Sequence, residues 1–292
     1  MTACRYTRAG TVEEAVEALA EAGGEANVIA GGVALGILMN ERLLEPEWLI
    51  DIARIEAMKG IAATPGGGLR IGALTTHTAV ERSAAVAAAC PLLTEMAAEI
   101  ACGRIRNRGT VGGNICLADP QGDPPVALLA LGATLRAAGP VGTRDIPADG
   151  FFIDLYETAL AEDELLVEIE VPPTPSGGGA AYAKFAARRA MDYTSTVSAA
   201  VSLVRDPGDG RIAEIGIGLG GVGITPVRAK AAEAALRGRQ PDGDTVARMS
   251  EALGKEIEPL EDHLYSADYK RHVAAVMLRR AVARAYERSA GG

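Results

Sequence analysis

Apolar residues recur at helical spacing through Val12, Val16, Leu19 and Ala20, directly behind Thr11, which is placed to form a capping box with Glu14 three residues on. The pattern predicts a helix ending at Gly23-Gly24. Residues 27–30 form a short apolar run closed by glycines, and a second helical pattern begins near Val33, so strand, tight turn and helix are expected in succession. Residues 48–52 are the next predicted strand. A second α/β segment opens with the strand-like residues 69–74, then a capped helix from Thr78 with Glu81, then a helix opened by Pro91. Residues 103–114 carry no apolar periodicity and belong at the surface or against a ligand. Pro124 and Pro125 open a further helix, and residues 165–171 alternate as a strand.

Residues 172–179, a run of three prolines, Thr174, Ser176 and three glycines, give the clearest boundary signal in the chain. Beyond it, residues 183–188, 196–204 and 212–219 read as strands, with a turn at residues 206–210 between the last two. Helical patterns over residues 227–236, 244–255 and 268–288 complete the chain. The expected fold class is α+β: a domain over residues 1–174 made of two α/β subdomains, about 1–55 and 56–174, then an antiparallel α+β domain over residues 175–292.

Composition narrows the function classes. Of the 292 residues, 48% are hydrophobic and 23% charged, the balance of a folded globular chain. The net charge is −9 with no basic run, which argues against nucleic acid or an anionic lipid surface as partner. The apolar stretch 126–138 is interrupted by Gly132 and Arg136 and is shorter than the roughly 20 residues of a membrane-spanning helix. Arg5, Arg8, Glu13 and Glu14 occupy positions where a signal peptide needs its apolar core, so a cytoplasmic location is expected. Cys4, Cys90, Cys102 and Cys116 form no CxxC pair, and His77, His263 and His272 no metal-binding spacing; neither zinc, an iron–sulfur cluster nor any other metal is expected on this chain. His77 is read as a surface or capping residue.

Two glycine loops carry candidate chemistry: Ile29-Ala30-Gly31-Gly32-Val33-Ala34-Leu35 and Thr110-Val111-Gly112-Gly113-Asn114. Adjacent glycines let backbone N–H groups turn toward one concave site, because positive φ and close ligand approach carry no Cβ penalty there. Two such loops that converge could clamp a pyrophosphate, with the helix after Gly31-Gly32 adding its N-terminal dipole. Taken singly, each Gly-Gly pair reads first as a tight turn. The run Gly216, Gly218, Gly220 and Gly221 lies inside a strand pattern and precedes Thr225-Pro226 instead of a capped helix, so it is not a dinucleotide-binding fingerprint.

The residues then resemble one family, the FAD-binding medium subunit of molybdenum hydroxylases of the carbon monoxide dehydrogenase and xanthine dehydrogenase kind. Ala30-Gly31-Gly32-Val33-Ala34-Leu35 is similar to its AGG-x-x-L flavin loop. Ile105-Arg106-Asn107-Arg108-Gly109-Thr110-Val111-Gly112-Gly113-Asn114, with Ala118-Asp119-Pro120 and Asp123-Pro124-Pro125, resembles its most specific block. Further similarities are Ile71-Gly72-Ala73-Leu74-Thr75-Thr76-His77, Tyr156-Glu157-Thr158-Ala159-Leu160, Glu164-Leu165-Leu166, Lys184 with Arg188-Arg189, Asp192-Tyr193, Thr225-Pro226-Val227-Arg228 and Tyr269-Lys270-Arg271-His272. They run through the whole chain.

The resemblance implies a PCMH-type FAD-binding domain followed by the family's C-terminal sheet and helical bundle. It implies flavin contacts at Val28, Ile29, Ala30, Gly31, Gly32, Val33, Ala34 and Leu35, at Thr110, Val111, Gly112, Gly113 and Asn114, and at Ile100, Asp123, Leu166 and Lys184. Asp123 would accept from ribose or ribityl hydroxyls, Ile100 and Leu166 would pack on the ring, and Lys184 would place a cation near it. Asp123 is otherwise placed to cap its own helix. Thr75, Thr76 and Tyr193 match positions near the cofactor. Val33 and Ala34 replace the polar pair common after AGG, so phosphate binding there must rest on backbone N–H groups. The implied function is electron transfer by FAD from [2Fe–2S] clusters on a small partner subunit to an external acceptor, with the molybdenum cofactor on a large partner, in a dimer of heterotrimers. No catalytic residue is expected on this chain. A self-sufficient flavin oxidase or dehydrogenase, or a nucleotide-binding assembly subunit without flavin, remain alternatives.

Overall fold

The computed structural model describes residues 4–187 and 195–290. Arg188, Arg189, Asp192 and Tyr193 lie outside these residues.

The chain opens with β1 (Arg5–Arg8), α1 (Val12–Ala22), β2 (Ala26–Ile29), α2 (Val33–Asn40) and β3 (Trp48–Asp51). Both ends of α1 follow from the sequence: Thr11 accepts the Glu14 N–H, the Glu14 carboxylate accepts the Gly10 N–H, and Gly23 closes the helix in the left-handed region. The strands pair in parallel in the order β1-β3-β2, which sets residues 30–32 at the carboxyl end of β2, immediately ahead of α2.

The next stretch holds β4 (Ile61–Ala63), β5 (Leu69–Gly72), α3 (His77–Arg82), α4 (Ala84–Ala89), α5 (Pro91–Ala98), α6 (Gly103–Arg106), α7 (Val111–Leu117) and α8 (Asp123–Leu131). It continues with β6 (Thr134–Gly139), β7 (Gly142–Pro147), β8 (Phe152–Asp154), β9 (Glu157–Thr158) and β10 (Leu165–Val171). Five of the strands form an antiparallel sheet in the order β4-β5-β10-β6-β7. The helix expected from Thr78 instead starts at His77, because Thr76 accepts the Ala79 N–H and caps it. Residues 103–114, expected as loop, contain α6 and the start of α7. With four and seven residues, these helices are too short to show an apolar period.

The last part is β11 (Gly178–Phe185), β12 (Val197–Arg205), β13 (Ile212–Gly220), β14 (Val227–Arg228), α9 (Lys230–Leu236), α10 (Gly243–Glu256) and α11 (Ala267–Arg288). The strands form an antiparallel sheet in chain order. Pairing of Arg228 with Gly218 draws residues 227–228 into the sheet and delays the expected helix to Lys230.

This sheet has two buried faces with different partners. Along β13, Ile215, Ile217 and Leu219 point into a core shared with α9, α10 and α11. Gly216, Gly218 and Gly220 alternate with them and meet α8. A Cβ on Gly216 would stand 2.1 Å from the Ala130 carbonyl oxygen, and one on Gly218 2.0 Å from that of Val126. The glycine run is therefore a seat for a helix, which is the physical reason it is no nucleotide loop. On β11, Ala181 and Ala183 join the C-terminal core, whereas Tyr182 packs into the core of the preceding domain.

Gly218→Ala is expected to lower the free energy of unfolding by about 3 kcal/mol, because the clash is with backbone and α8 must move. Gly254→Ala, on the exposed side of α10 with open space at its Cβ, is expected to raise it by about 0.5–1 kcal/mol. Urea unfolding of the two variants beside the parent checks both; a harmless Gly218→Ala would contradict the packing of α8 on β13.

Candidate functional site

Val28 and Ile29 end β2, Ala30 and Gly31 turn the chain, Gly32 sits at φ 69° as the N-cap, and Val33, Ala34 and Leu35 form the first turn of α2. The N–H groups of Gly31, Gly32, Val33 and Ala34 have no hydrogen-bond partner among the described residues. The first turn of a helix leaves such donors unspent and concentrates positive potential. With no hydroxyl or amide at Val33 or Ala34, the donors here are purely backbone.

The second loop meets the first directly. A Cβ on Gly31 would lie 1.9 Å from the Arg108 carbonyl oxygen and 3.3 Å from Gly109 Cα, so only glycine permits this approach. Arg108 Nη2 donates to the Gly31 carbonyl at 3.2 Å. The segments are thus packed backbone against backbone and tied by the Arg108 side chain.

Their donors differ. The Val111 N–H donates to Thr75 O at 2.9 Å and that of Gly112 to Ala73 O at 2.8 Å, while Gly113 N–H is taken by the Thr110 side chain and Asn114 N–H by the Thr110 carbonyl. Residues 110–114 therefore do not supply the expected nest of free N–H groups. Gly112 serves close packing instead, since a Cβ there would stand 2.6 Å from that of Ala73. What the segment offers is a side chain: the Asn114 Oδ1 is buried and without a partner. An orphaned amide oxygen is costly unless a ligand donor completes it.

From Asn114 the site continues to the start of α8. Asp123 is fully buried, and its carboxylate does not cap the helix; Oδ2 accepts from Lys184 Nζ at 2.6 Å and Oδ1 from the Tyr182 hydroxyl at 2.5 Å. Lys184, buried on β11, also donates to the Glu99 carbonyl at 3.1 Å, directly beside Ile100. Burial raises the Asp123 carboxyl above the usual carboxylate range, against the opposing pull of Lys184 and Tyr182. Ile100 and Leu166 are both core residues of the first domain, with Leu166 on β10 against α7. Contacts run from Gly31 to the segment that carries Asn114 and on to the turn into α8, where Asp123 meets Lys184; Ile100 follows the Glu99 carbonyl that Lys184 reaches, and Leu166 lies in the same core.

Sequence reasoning missed the supports. Arg106 pairs with Glu81 at 2.8 Å and donates to the carbonyls of Ile100 and Ala101 at 2.9 and 3.1 Å, fixing the turn that carries Ile100. Thr75 is spent on Gly60, with which it exchanges two hydrogen bonds, and Thr76 on its helix cap. His77 is no surface residue: it is 2% exposed, its N–H holds Gly109 O at 3.1 Å, and a Cβ on Gly109 would stand 3.0 Å from its ring. Gly109 is packed between Gly31 and His77. Burial, with the nearby Arg106 charge, pushes the His77 imidazole down to about 4. Among the described residues no group of side chains could hold a metal ion, and no helix is long and apolar enough to cross a membrane.

Unspent helix-start donors and an orphaned amide stand on adjoining glycine loops, an arrangement suited to a phosphate-bearing ligand. Comparison with known proteins gives the class. Residues 2–174 match the family described as FAD binding domain in molybdopterin dehydrogenase, and residues 180–285 match the carbon monoxide dehydrogenase flavoprotein C-terminal domain. The chain is 38% identical to the carbon monoxide dehydrogenase medium chain of Hydrogenophaga pseudoflava over 98% of both chains. It is 30% identical to the xanthine dehydrogenase FAD-binding subunit of Escherichia coli O157:H7, over 98% of this chain and 97% of the other. The solved carbon monoxide dehydrogenase from H. pseudoflava that lacks the Mo-pyranopterin moiety superposes with a TM-score of 0.93 at 40% identity, over 98% of each chain. The quinoline 2-oxidoreductase of Pseudomonas putida 86 gives 0.89 at 30%, over 98% of this chain and 97% of that one. This chain belongs to the family of FAD-binding medium subunits of molybdenum hydroxylases, an oxidoreductase family.

Two measurements probe the site's electrostatics. An unfolded histidine binds its proton near 6.5, whereas folded His77 resists until about 4. Stability is therefore complete above about pH 6.5 and falls as pH drops through this window, by up to about 3 kcal/mol. Urea unfolding at several pH values should show a shallower loss in His77→Phe; equal slopes would remove His77 as the source. Lys184→Met, which strands the Asp123 carboxylate, is expected to cost about 3–5 kcal/mol. Adding Asp123→Asn should recover part of it, and full additivity of the two losses would argue against a coupled pair.

Proposed function

We propose that the chain holds FAD along this run of contacts and serves as the electron-transfer subunit of a heteromeric molybdenum hydroxylase, dividing at residue 174 into a flavin-binding domain and a C-terminal domain. The observation that carries the reading is the convergence of unspent N–H groups at residues 31–34 with the orphaned Asn114 oxygen, across a contact that tolerates only glycine at residue 31.

The bound flavin supplies the ability to take electrons singly from iron–sulfur clusters and release them to an external acceptor. The chain's own residues bind and orient it. Gly31 to Ala34 donate to the pyrophosphate at the start of α2, with Val28, Ile29, Ala30 and Leu35 shaping the loop. Asn114 accepts from a cofactor donor, and Thr110, Val111, Gly112 and Gly113 hold it in place. Asp123 and Lys184 set the charge beside the ring, while Ile100 and Leu166 keep water from its apolar side. The clusters belong to a small [2Fe–2S] partner and the molybdenum cofactor to a large one, in a dimer of heterotrimers in the cytoplasm. A carbon monoxide dehydrogenase medium chain, subunit alpha of a 6-hydroxypseudooxynicotine dehydrogenase complex and a nicotine 6-hydroxylase medium subunit align over nearly the full chain, which supports partner subunits.

The purified chain is expected to carry FAD, with its yellow absorption. Gly31→Ala should weaken FAD binding by about tenfold or more, since the loops must part by more than an ångström. Fluorescence titration of stripped protein measures this. A folded, colourless parent that binds no added FAD would end the proposal.

A further inference from the structure

The seam between the two domains carries hydrogen-bonded groups beside Asp123 and Lys184 that the flavin reading does not use. Tyr182 precedes Lys184 by two residues on β11, so both side chains leave the same face of the sheet. Tyr182 is 4% exposed, and its hydroxyl donates to Asp123 Oδ1 while Lys184 takes Oδ2. Near it stands Ser198 on β12, fully buried, which acts to favour the ionised Tyr182 phenol and has the Ser195 hydroxyl at 3.1 Å as a donor. Ser195 has one proton to give, and Gln121 O, two residues before Asp123, is its other acceptor at 3.1 Å. A Cβ on Gly220 would stand 2.8 Å from Ser198 Oγ, so a glycine there leaves the hydroxyl its place.

Hydrogen-bond polarity fixes the direction of the bond from Tyr182. An ionised carboxylate is acceptor-only, so the tyrosine donates to it and its phenol oxygen keeps acceptor capacity alone, the side on which Ser198 acts. The two oxygens of Asp123 are each given one fixed donor, one neutral and one cationic. Neither can rotate toward another group without stranding a buried partner.

We infer that Tyr182 is a positioning residue: through its hydrogen bond it holds the Asp123 carboxylate ionised and oriented, and so keeps Lys184 as a charged neighbour of the flavin. The inference rests on the flavin reading above. The role assigned to Tyr182 is exerted through its bond to Asp123. The ionisable groups acting on Asp123 are Lys184 and Tyr182 on β11 and Glu99 at the end of α5. Of these, Tyr182 and Lys184 favour the carboxylate, while Glu99 and burial oppose it.

The test is a redox titration of the FAD-loaded full chain between about pH 4 and pH 9, a range chosen to span raised carboxyl values. Beyond the pH dependence that the flavin's own proton uptake gives in every variant, the potential of the parent protein should carry an additional bend where Asp123 takes its proton. Tyr182→Phe keeps the ring and removes only the hydroxyl, and it should move the bend upward by about one pH unit, the equivalent of one hydrogen bond to a charged acceptor. Ser198→Ala, one step removed, should move it the same way by less, and decides the matter if the tyrosine variant does not fold. Asp123→Asn should abolish the bend. A bend at the parent's pH in Tyr182→Phe, or one that persists in Asp123→Asn, overturns the role assigned to Tyr182 even when FAD is bound normally. A parent chain that binds no FAD fails at the earlier reading instead.

Discussion

The fully buried ion pair between Asp123 and Lys184 is the interaction around which the rest of the molecule is arranged. Two charges removed from water are tolerable only when their geometry is good and every remaining donor or acceptor is met. Here the lysine also reaches the Glu99 carbonyl and the carboxylate also takes the Tyr182 hydroxyl, so the cost is offset by three hydrogen bonds drawn from three elements. Those elements must be held at fixed distances. The glycine column of β13 sets α8, and with it Asp123, close against the sheet whose β11 carries Lys184 and Tyr182. A side chain at Gly216 or Gly218 would meet the backbone of α8 and press it away from this sheet.

A second constraint ties this seam to the loops. Asn114 lies at the end of the segment locked under Gly31, and a Cβ on Gly122 would stand 3.1 Å from its side-chain oxygen. The turn into α8 is therefore packed against the residue left with an unmet acceptor. Arg106 and His77 brace the same segment from behind, one through charge and carbonyls, the other by filling space under Gly109. Rigid backing of this kind keeps donors preorganised, which lowers the ordering cost of binding.

Much of this was legible in the sequence where a local rule acts alone. Thr11 with Glu14, Gly23, Pro91 and the alternation of residues 165–171 specify their elements through capping, positive φ and period-two burial. The two glycine loops were legible as a pair because adjacent glycines limit what a backbone segment is for. What could not be read is which purpose each glycine serves. Gly31 and Gly112 are alike in sequence, yet the first frees donors beside a neighbouring backbone and the second spends its N–H on Ala73. That difference is set by tertiary contacts between residues far apart in the chain. His77 was misread for the same reason, since nothing near it in sequence reveals the loop that covers it. Tyr182 was within reach: period two from Lys184 places it on the same face.

The split between the loops bears on how this chain differs from the pattern it resembles. With Val33 and Ala34 in the first turn of α2, no side chain can compete for or replace the four backbone donors, and α2 has no buried residue to anchor it. Its position is then fixed chiefly from its N-terminal end, by β2 and by the Gly31 contact with Arg108. An anion at the helix start would satisfy the exposed donors and oppose the dipole at the point where the helix is attached. Such an anion and the loop would in this way stabilise each other, and the bond from Arg108 to Gly31 O couples α2 to the segment carrying Asn114. The loss of polar side chains after Gly32 shifts the burden of recognition onto backbone geometry, which is why the close contact at Gly31 matters more here than the identity of the two residues that follow.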